Sequence, residues 1–588
     1  MSFDLCIMTF KQEHISVDFL SFAPTMLKQP IIECVPNFSE GRNPAIIKHI
    51  TQVIEAVEGV TLLDVDAGKA TNRTVVTFVG HPEAVIEAAF QAIVKAGELI
   101  DMSEHKGEHP RMGATDVCPL IPIRDITMEE TAKYAQKLAE RVGRETNIPV
   151  YLYGYAQPNT SRNDLSIIRA GEYEGFSEKI KLVEWKPDFG PLVFNTKKGA
   201  TVIGARDFLI AYNINLNTKS TRIANRIAFD VREAGRVKRI GNPISGEIAL
   251  DENGEPIRVP GKCKEVKAIG WYIKEYGIAQ ISANLTKYNV TPVHVFFDEV
   301  NESAMSRGVR VTGSELVGLV PLNAMLEAGK HYLAKQERSF GVSEKELIEI
   351  AIKSLGLDEL APFDPGKKII EYQMRSHAQK LVDLSCSDFA DITASESTAP
   401  GGGSIAAYAG ALGAALATMV ANVSANKKGW EDRWEYFSNV AVKGQAIKKE
   451  LLRLVDEDTN AFAGIMEAFK LPKTNTEEIS HRKEAIEAAS LYATQIPLLT
   501  MKVAYQILEI AKEMIENGNQ NTLSDGAAGV LCNKTAVQAA YYNVMINAKG
   551  LSNKTLAREL AEEAKSILSK NTHEADTLLE IVEKGIGF

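Results

Sequence analysis

The 588-residue chain has few cysteines, no excess of positive charge and no long apolar run that stands out as a membrane segment. Cys6, Cys34, Cys118, Cys263, Cys386 and Cys532 are scattered without a CxxC pair. That favours reduced thiols in a cytoplasmic setting over disulfides or a zinc site, and no metal is expected. A formal net charge of −10 excludes the basic footprint of a nucleic-acid-binding protein. Any cations that serve anionic substrates must then be held locally, in a site. No apolar run is expected to reach the ~20 residues of a membrane helix. Residues 1–29 lack the basic start and clean apolar core of a signal peptide, and lack a clear period. The natural start is expected at Met26, with an ordered N-terminal arm as the alternative.

A chain of this length needs several hydrophobic cores. Residues 30–207 alternate in type: "IIECVPNF", "GVTLLDVDA", "NRTVVTFVG" and "PVYLYGY" read as strands. Between them, "PAIIKHITQVIEAV", "PEAVIEAAFQAIVKAGELI" and a stretch near 128–146 read as helices. The βαββαβ-like order predicts an α/β sandwich, and a similar order returns over 208–365. Residues 241–262 are turn-rich and read as an inserted hairpin. A linker is expected over 366–383. From 384 to 588 long Ala-rich helical stretches, at 403–424, 432–470, 475–517 and 533–583, predict an all-α bundle. The expected fold is therefore α+β, two α/β sandwich subdomains followed by a helix bundle.

The loop "HKGEHPRMGATDVCPLIP" sets His105, Lys106, Glu108, His109 and Arg111 side by side. The spacing of His105 and His109 would suit zinc on one helical face, but Gly107 and Pro110 break the helix. A general base suits the loop better, because Lys106 and Arg111 disfavour imidazolium and attract carboxylates. The bland alternative is a polar surface loop. In "LLDVDAGKATNR", Asp64 and Asp66 share one side of a strand, with Asn72 and Arg73 on the turn that follows. Turn capping is the alternative for Asp64. Lys197, Lys198 and Arg206 fall where the two α/β halves join, a common place for a cleft, and Arg162 and Arg169 add to the positive charge.

In the helical region Leu451, Val455, Asp458, Phe462, Ile465 and Phe469 step along one helical face, so Asp458 falls within an apolar stripe. Burial there raises a carboxyl's pKa and makes an acid/base group, unless a buried Lys or Arg pairs with it. "STAPGGGSIAAYAG" sets Gly402, Gly403 and Ser404 before a helix, where free N–H groups favour an anion. No GKS or GKT follows, so it is no nucleotide loop. Ser524 and Asp525 read as the N-cap pair of a later helix.

These blocks together resemble known enzymes. "ECVPNFSEGRN", "LLDVDAGKATNRTVVTFVG", "DMSEHKGEHPRMGATDVCPLIP", "IRAGEYEG" and "PDFGP" are similar to glutamate formimidoyltransferases. "TAPGGGSIAA", "LVDEDTNAF", "SD" at 524–525 and "AYYNVMIN" are similar to formimidoyltetrahydrofolate cyclodeaminases. Their order resembles the bifunctional formimidoyltransferase-cyclodeaminase family from residue 30 to the end. The resemblance implies transfer of the formimino group of N-formimino-L-glutamate to N5 of tetrahydrofolate. It implies a second step in which 5-formiminotetrahydrofolate cyclises to 5,10-methenyltetrahydrofolate and releases ammonia. It assigns the transferase histidine to His109, the cyclodeaminase acid to Asp458, and folate contacts to Gly190, Pro191, Leu192, Val193, Phe194, Asn195, Thr196, Lys197, Lys198 and Gly199. Asp66, Arg73 and Arg111 are candidates for pterin and carboxylate contacts, and Gly402, Gly403, Ser404 and Asp525 for the second site. Polyglutamylated tetrahydrofolate and a ring-like homo-octamer are further implications. The 1–29 extension, the 241–262 insertion and the 373–383 stretch depart from the family pattern. Two alternatives stay open: a monofunctional transferase with a non-catalytic helical domain, and a non-catalytic binder of folate or acidic peptides.

Overall fold

The computed structural model describes residues 30–69, 71–107, 110–241, 245–374 and 380–587. The proposed N-terminal arm lies outside these residues. Two compact units are present: residues 30–374 with Glu431–Ser438 in one, and residues 380–430 with 439–587 in the other.

In the first unit, β1 (Ile31–Cys34) and β2 (Asn37–Phe38) behave as one strand interrupted at Val35–Pro36, where proline has no N–H for a ladder. α1 (Pro44–Glu55) follows, with Asn43 capping it and Pro44 in its first turn. Next come β3 (Val60–Gly68), β4 (Arg73–Gly80), α2 (Pro82–Leu99), β5 (Thr115–Arg124) and α3 (Met128–Thr146). A Thr127/Glu130 capping box starts α3. β6 (Val150–Gly154), the short α4 (Leu165–Arg169), α5 (Glu172–Lys179) and β7 (Thr201–Ala205) complete this half. β3, β4, β1/β2 and β5 pair antiparallel, and β5, β7 and β6 continue the sheet in parallel.

The two-residue period of the strands decides which side chains reach solvent. Ile32, Cys34, Val76, Phe78, Cys118 and Leu120 are fully buried in the hydrophobic core with the helices. Their sequence neighbours Glu33, Val35, Val75, Thr77, Val117 and Pro119 face the opposite way, into a groove.

The second half repeats the plan. β8 (Ile210–Leu216), α6 (Thr221–Val231), β9 (Arg236–Val237), β10 (Arg239–Ile240), β11 (Glu247–Ile248) and β12 (Arg258–Val259) come first. β13 (Val266–Ile273), β14 (Ile278–Leu285), α7 (Val293–Met305), β15 (Val311–Val317), α8 (Leu322–Lys335) and α9 (Glu344–Leu355) follow. The antiparallel sheet runs β13-β14-β8-β15. The turn-rich insertion forms two small ladders, β10 with β11 and β9 with β12. The expected linker does not begin at 366. α10 (Pro365–Lys368) and α11 (Ile370–Gln373) belong to this half, because Ile369 and Ile370 are fully buried and Ile369 bridges Val320.

The second unit is helical: α12 (Cys386–Ala394), α13 (Gly402–Ala425), α14 (Trp434–Lys470) from Asn439 on, α15 (Thr476–Tyr505), α16 (Ile507–Asn517), α17 (Leu523–Gly550) and α18 (Lys554–Ile586). Two expected helices are each a pair, broken at Gln506 and at 551–553. α13 also corrects the reading of apolar runs. It is long and apolar enough to cross a membrane, but 61% of its most apolar window is buried inside the bundle. Its alanines and glycines make it a core helix that neighbours approach closely. Thr418 meets Gly444, Gly410 meets Leu451 and Gly403 meets Asp458, so α13 and α14 run antiparallel. Gly402 meets Asn543, and Gly413 meets Gly529, so α13 and α17 do too.

Two candidate active sites

A groove of about 810 Å³ in the first unit is lined by both of its halves. Glu33, Asp64, Asp66, Arg73, Arg169 and Arg206 come from one half, and Glu265, Lys267, Asn284 and Lys287 from the other. Cations and carboxylates thus interleave, an arrangement suited to substrates that carry both charges. Asp64 and Asp66 stand opposite Thr77 and Val75 of β4, with a strand irregularity between Leu62 and Asp64. Burial raises the Asp64 carboxyl above its usual range.

Beneath the groove Asp116, almost fully buried on β5, pairs with Arg169 and accepts the Met112 N–H at 3.0 Å. Burial raises its carboxyl despite Arg169 and Arg73, and burial lowers Arg73 to about 10. Asp116 therefore ties the end of the polar loop to the two groove arginines. Nothing in the local pattern had marked it. The signal was an acidic residue inside an otherwise apolar strand.

The loop is organised by Arg111. Its guanidinium donates to both oxygens of Glu174 at 2.9 and 2.6 Å, to Glu172 at 3.2 Å, and to His105 Nδ1 at 3.2 Å. His105 Nε2 lies 2.9 Å from the Asn72 carbonyl. An arginine donor fixes Nδ1 as an acceptor, so Nε2 carries the proton. Burial lowers the His105 pKa, with the Arg111 charge adding to the effect. His105 is thus a neutral imidazole with both nitrogens engaged, which leaves it a structural part. Arg111 corrects the sequence reading in turn: two glutamates already hold it, so it orders the loop rather than offering a free cation. His109 and Glu108 lie outside the described residues.

The 190–199 segment does not line the groove. It crosses the ends of two helices, where Lys197 Nζ donates to the Glu98 carbonyl at 3.2 Å and Lys198 Nζ to that of Thr146 at 3.2 Å. Phe194 packs near Phe176 and Tyr173, whereas Leu192 and Val193 are exposed. Gly199 has φ +70° and touches Met112–Gly113, so the segment meets the far end of the polar loop. Arg162 is held elsewhere, by Asp188 at 3.0 Å.

In the bundle, Asp458 lies against the first turn of α13. Ser404 Oγ is 3.1 Å from its Oδ2 and 3.0 Å from the Val455 carbonyl, and one hydroxyl proton serves one of these at a time. Gly401, the N-cap, offers no side chain, and the Asp458 carboxyl from another helix takes the Ser404 N–H of the first turn. The anion site expected at Gly402–Ser404 is thus filled by a carboxyl of the same chain. Two effects oppose each other here. Burial raises the pKa, the Ser404 hydroxyl and N–H lower it, and burial wins. Its neighbours differ: Asp456 accepts the Leu381 N–H at 2.8 Å, and Glu457 binds Tyr492 and Arg453. Asp458 has no cationic partner among the described residues, which removes the structural ion-pair alternative.

Two expectations fail in this unit. The apolar stripe is not buried past Asp458, since Phe462 and Phe469 are 42% and 51% exposed. Asp525 is not at the Asp458 site. It lies in the first turn of α17, after the N-cap Thr522, whereas Asn543 of the same helix reaches Gly402. Those 18 residues span about 27 Å of helix. Asn543 is the residue that reading the sequence missed.

Each unit thus holds a carboxyl raised by burial, Asp64 in the groove and Asp458 in the bundle, a kind of group suited to proton transfer. Family patterns described as formiminotransferase domain, N-terminal subdomain, as formiminotransferase domain and as formiminotransferase-cyclodeaminase match residues 31–206, 211–375 and 385–566. The chain belongs to the formiminotransferase-cyclodeaminase family. It is 43% identical over 555 residues to the formimidoyltransferase-cyclodeaminase of Mus musculus, covering 94% of this chain and 99% of that one. The glutamate formimidoyltransferase of Thermoplasma acidophilum is 43% identical over 305 residues, 52% of this chain and 92% of its own. The methenyltetrahydrofolate cyclohydrolase of Methylorubrum extorquens is 35% identical over 182 residues, 31% and 88% of the two chains.

Proposed function

We propose that one chain carries both reactions of its bifunctional relatives. The α/β unit transfers the formimino group of N-formimino-L-glutamate to N5 of tetrahydrofolate. The bundle then converts 5-formiminotetrahydrofolate to 5,10-methenyltetrahydrofolate and ammonia. Likeness to the bifunctional relative along 94% of the chain carries this reading over a monofunctional transferase. Asp458, a raised carboxyl without a cationic partner, supports a working second site.

In the transferase, N5 attacks the amidine carbon and must lose a proton, while the departing glutamate nitrogen must gain one. His109 takes the N5 proton. Asp66 and Arg73 on the groove wall hold polar groups of the substrates, and Arg111 keeps the loop in place. The 190–199 segment, which abuts that loop, makes folate contacts. In the bundle N10 attacks the formimino carbon, Asp458 takes the N10 proton, and the same carboxyl returns it to the nitrogen that leaves as ammonia. Gly402, Gly403 and Ser404 set that carboxyl in place. Asp525, at the far end of α17, takes part only in a different subsite. Polyglutamylated tetrahydrofolate, a homo-oligomer and a cytoplasmic location complete the reading, following the family resemblance and the reduced cysteines.

The test is a single-vessel assay with both substrates. Equal yields of glutamate, ammonia and methenyltetrahydrofolate are expected; glutamate without ammonia would reduce the chain to a transferase.

A further inference from the structure

Glu33 projects from the middle of β1 into the groove, because its neighbours Ile32 and Cys34 take the core-facing positions. It is 3% exposed, so the groove is its only opening. Of the other groove carboxyls, Asp207 is committed to Tyr155, Glu265 to Thr286 and Asp164 to the cap of α4, whereas Asp64 is only half-buried. Asp66 is exposed. Among the described residues the Glu33 carboxyl accepts no hydrogen bond, which is costly for a buried carboxylate unless it takes up a proton or a ligand.

Resting on the transferase reading, we propose that Glu33 is a second acid–base residue of the formimino transfer. It gives its proton to the glutamate nitrogen as the bond from that nitrogen to the formimino carbon breaks. The electron pair of that bond goes to the glutamate nitrogen, which leaves as an amine. His109 takes the proton lost by N5 and releases it to solvent, and Glu33 takes up a proton from solvent, so the cycle closes without a co-reactant. The groups that act on Glu33 across the packed elements are Arg206 after β7, Glu371 on α11 and the adjacent Cys34 thiol. Burial pushes the carboxyl up to about 7, with Arg206 opposing and Glu371 adding. An acid of that strength holds a proton at neutral pH and still releases it readily.

The test compares full-length wild type, Glu33→Gln and Glu33→Asp in glutamate release against pH, with tetrahydrofolate binding measured in parallel. Glu33→Gln is expected to bind tetrahydrofolate normally, to lose about 100-fold or more in kcat, and to lose the alkaline limb near neutrality. Glu33→Asp is expected to regain part of the rate with that limb displaced. A Glu33→Gln enzyme with near wild-type kcat and an unchanged pH profile overturns the proposal. If Glu33→Gln no longer binds tetrahydrofolate, Glu33→Asp decides alone: a wild-type limb overturns the proposal, a displaced one supports it. Wild type that releases no glutamate refutes the transferase reading itself, a separate result.

Discussion

Gly403→Ala gives a clean perturbation of the second site. A methyl group there would lie 2.1 Å from Asp458 Oδ1, 2.5 Å from its Cγ and 2.7 Å from Oδ2. The whole carboxyl must therefore retreat, by about 1 Å or more, before the contact becomes ordinary. Ser404 Oγ starts 3.1 Å from Oδ2 and would no longer reach it. Misplacing a reacting group by ~1 Å costs about 100-fold in rate, or ~2.7 kcal/mol of barrier. Stability should change far less. Alanine gains up to about 1 kcal/mol of helix propensity over glycine, against a repacking cost of about 1–3 kcal/mol. The assay supplies 5-formiminotetrahydrofolate and measures ammonia, with glutamate release from the other unit as internal control. A fall of about two orders of magnitude in the first and no change in the second is expected. Near wild-type ammonia release would refute the argument that the Asp458 carboxyl must sit against the first turn of α13.

Three further outcomes follow from the first unit. Glu33 has its folded pKa raised from an ordinary 4.5 to about 7, so its contribution to stability is full below about 4.5 and is lost as pH rises through 7. Above that, burying its charge costs about 3 kcal/mol, so Glu33→Gln should melt higher than wild type at pH 8 but not at pH 5; an equal difference at both pH values would contradict this. Arg111→Met removes the donor to His105 and the partner of Glu174; glutamate release should fall about 100-fold with ammonia release from supplied intermediate intact, and equal losses in both would point away from a loop effect. Gly199→Ala forces a side chain at φ +70° to within 2.2 Å of the Met112 carbonyl; urea unfolding should show a loss of about 3 kcal/mol, and a loss within experimental error would be inconsistent with the close approach.

The sequence carries the elements well because strand and helix periods are local. Ile32/Glu33 and Val76/Thr77 alternate as a half-buried sheet requires, and the capping box at Thr127 is visible in four residues. Asp458 was legible for a similar reason, as a carboxylate at a position of an apolar stripe, although the stripe beyond it proved exposed. What escaped depends on partners distant in sequence. Arg111 looks free until Glu172 and Glu174, more than 60 residues away, close on it. Asp116 and Glu33 are single acidic residues in apolar strands, and only the sheet shows which face each takes. Asp525 and Asn543 share one helix, and only the antiparallel packing of α13 on α17 shows that Asn543 meets the Gly402 end. The apolar α13 defeats any length rule, because a core helix and a membrane helix share composition and differ in what surrounds them.

Two separate acid–base sites are proposed to act in succession. The most direct measurement supplies formimino-glutamate and tetrahydrofolate to wild type, His109→Ala and Asp458→Ala while following methenyltetrahydrofolate absorbance and ammonia together. His109→Ala is expected to form neither product, and Asp458→Ala to accumulate 5-formiminotetrahydrofolate with no ammonia. Wild-type progress curves from Asp458→Ala would contradict this.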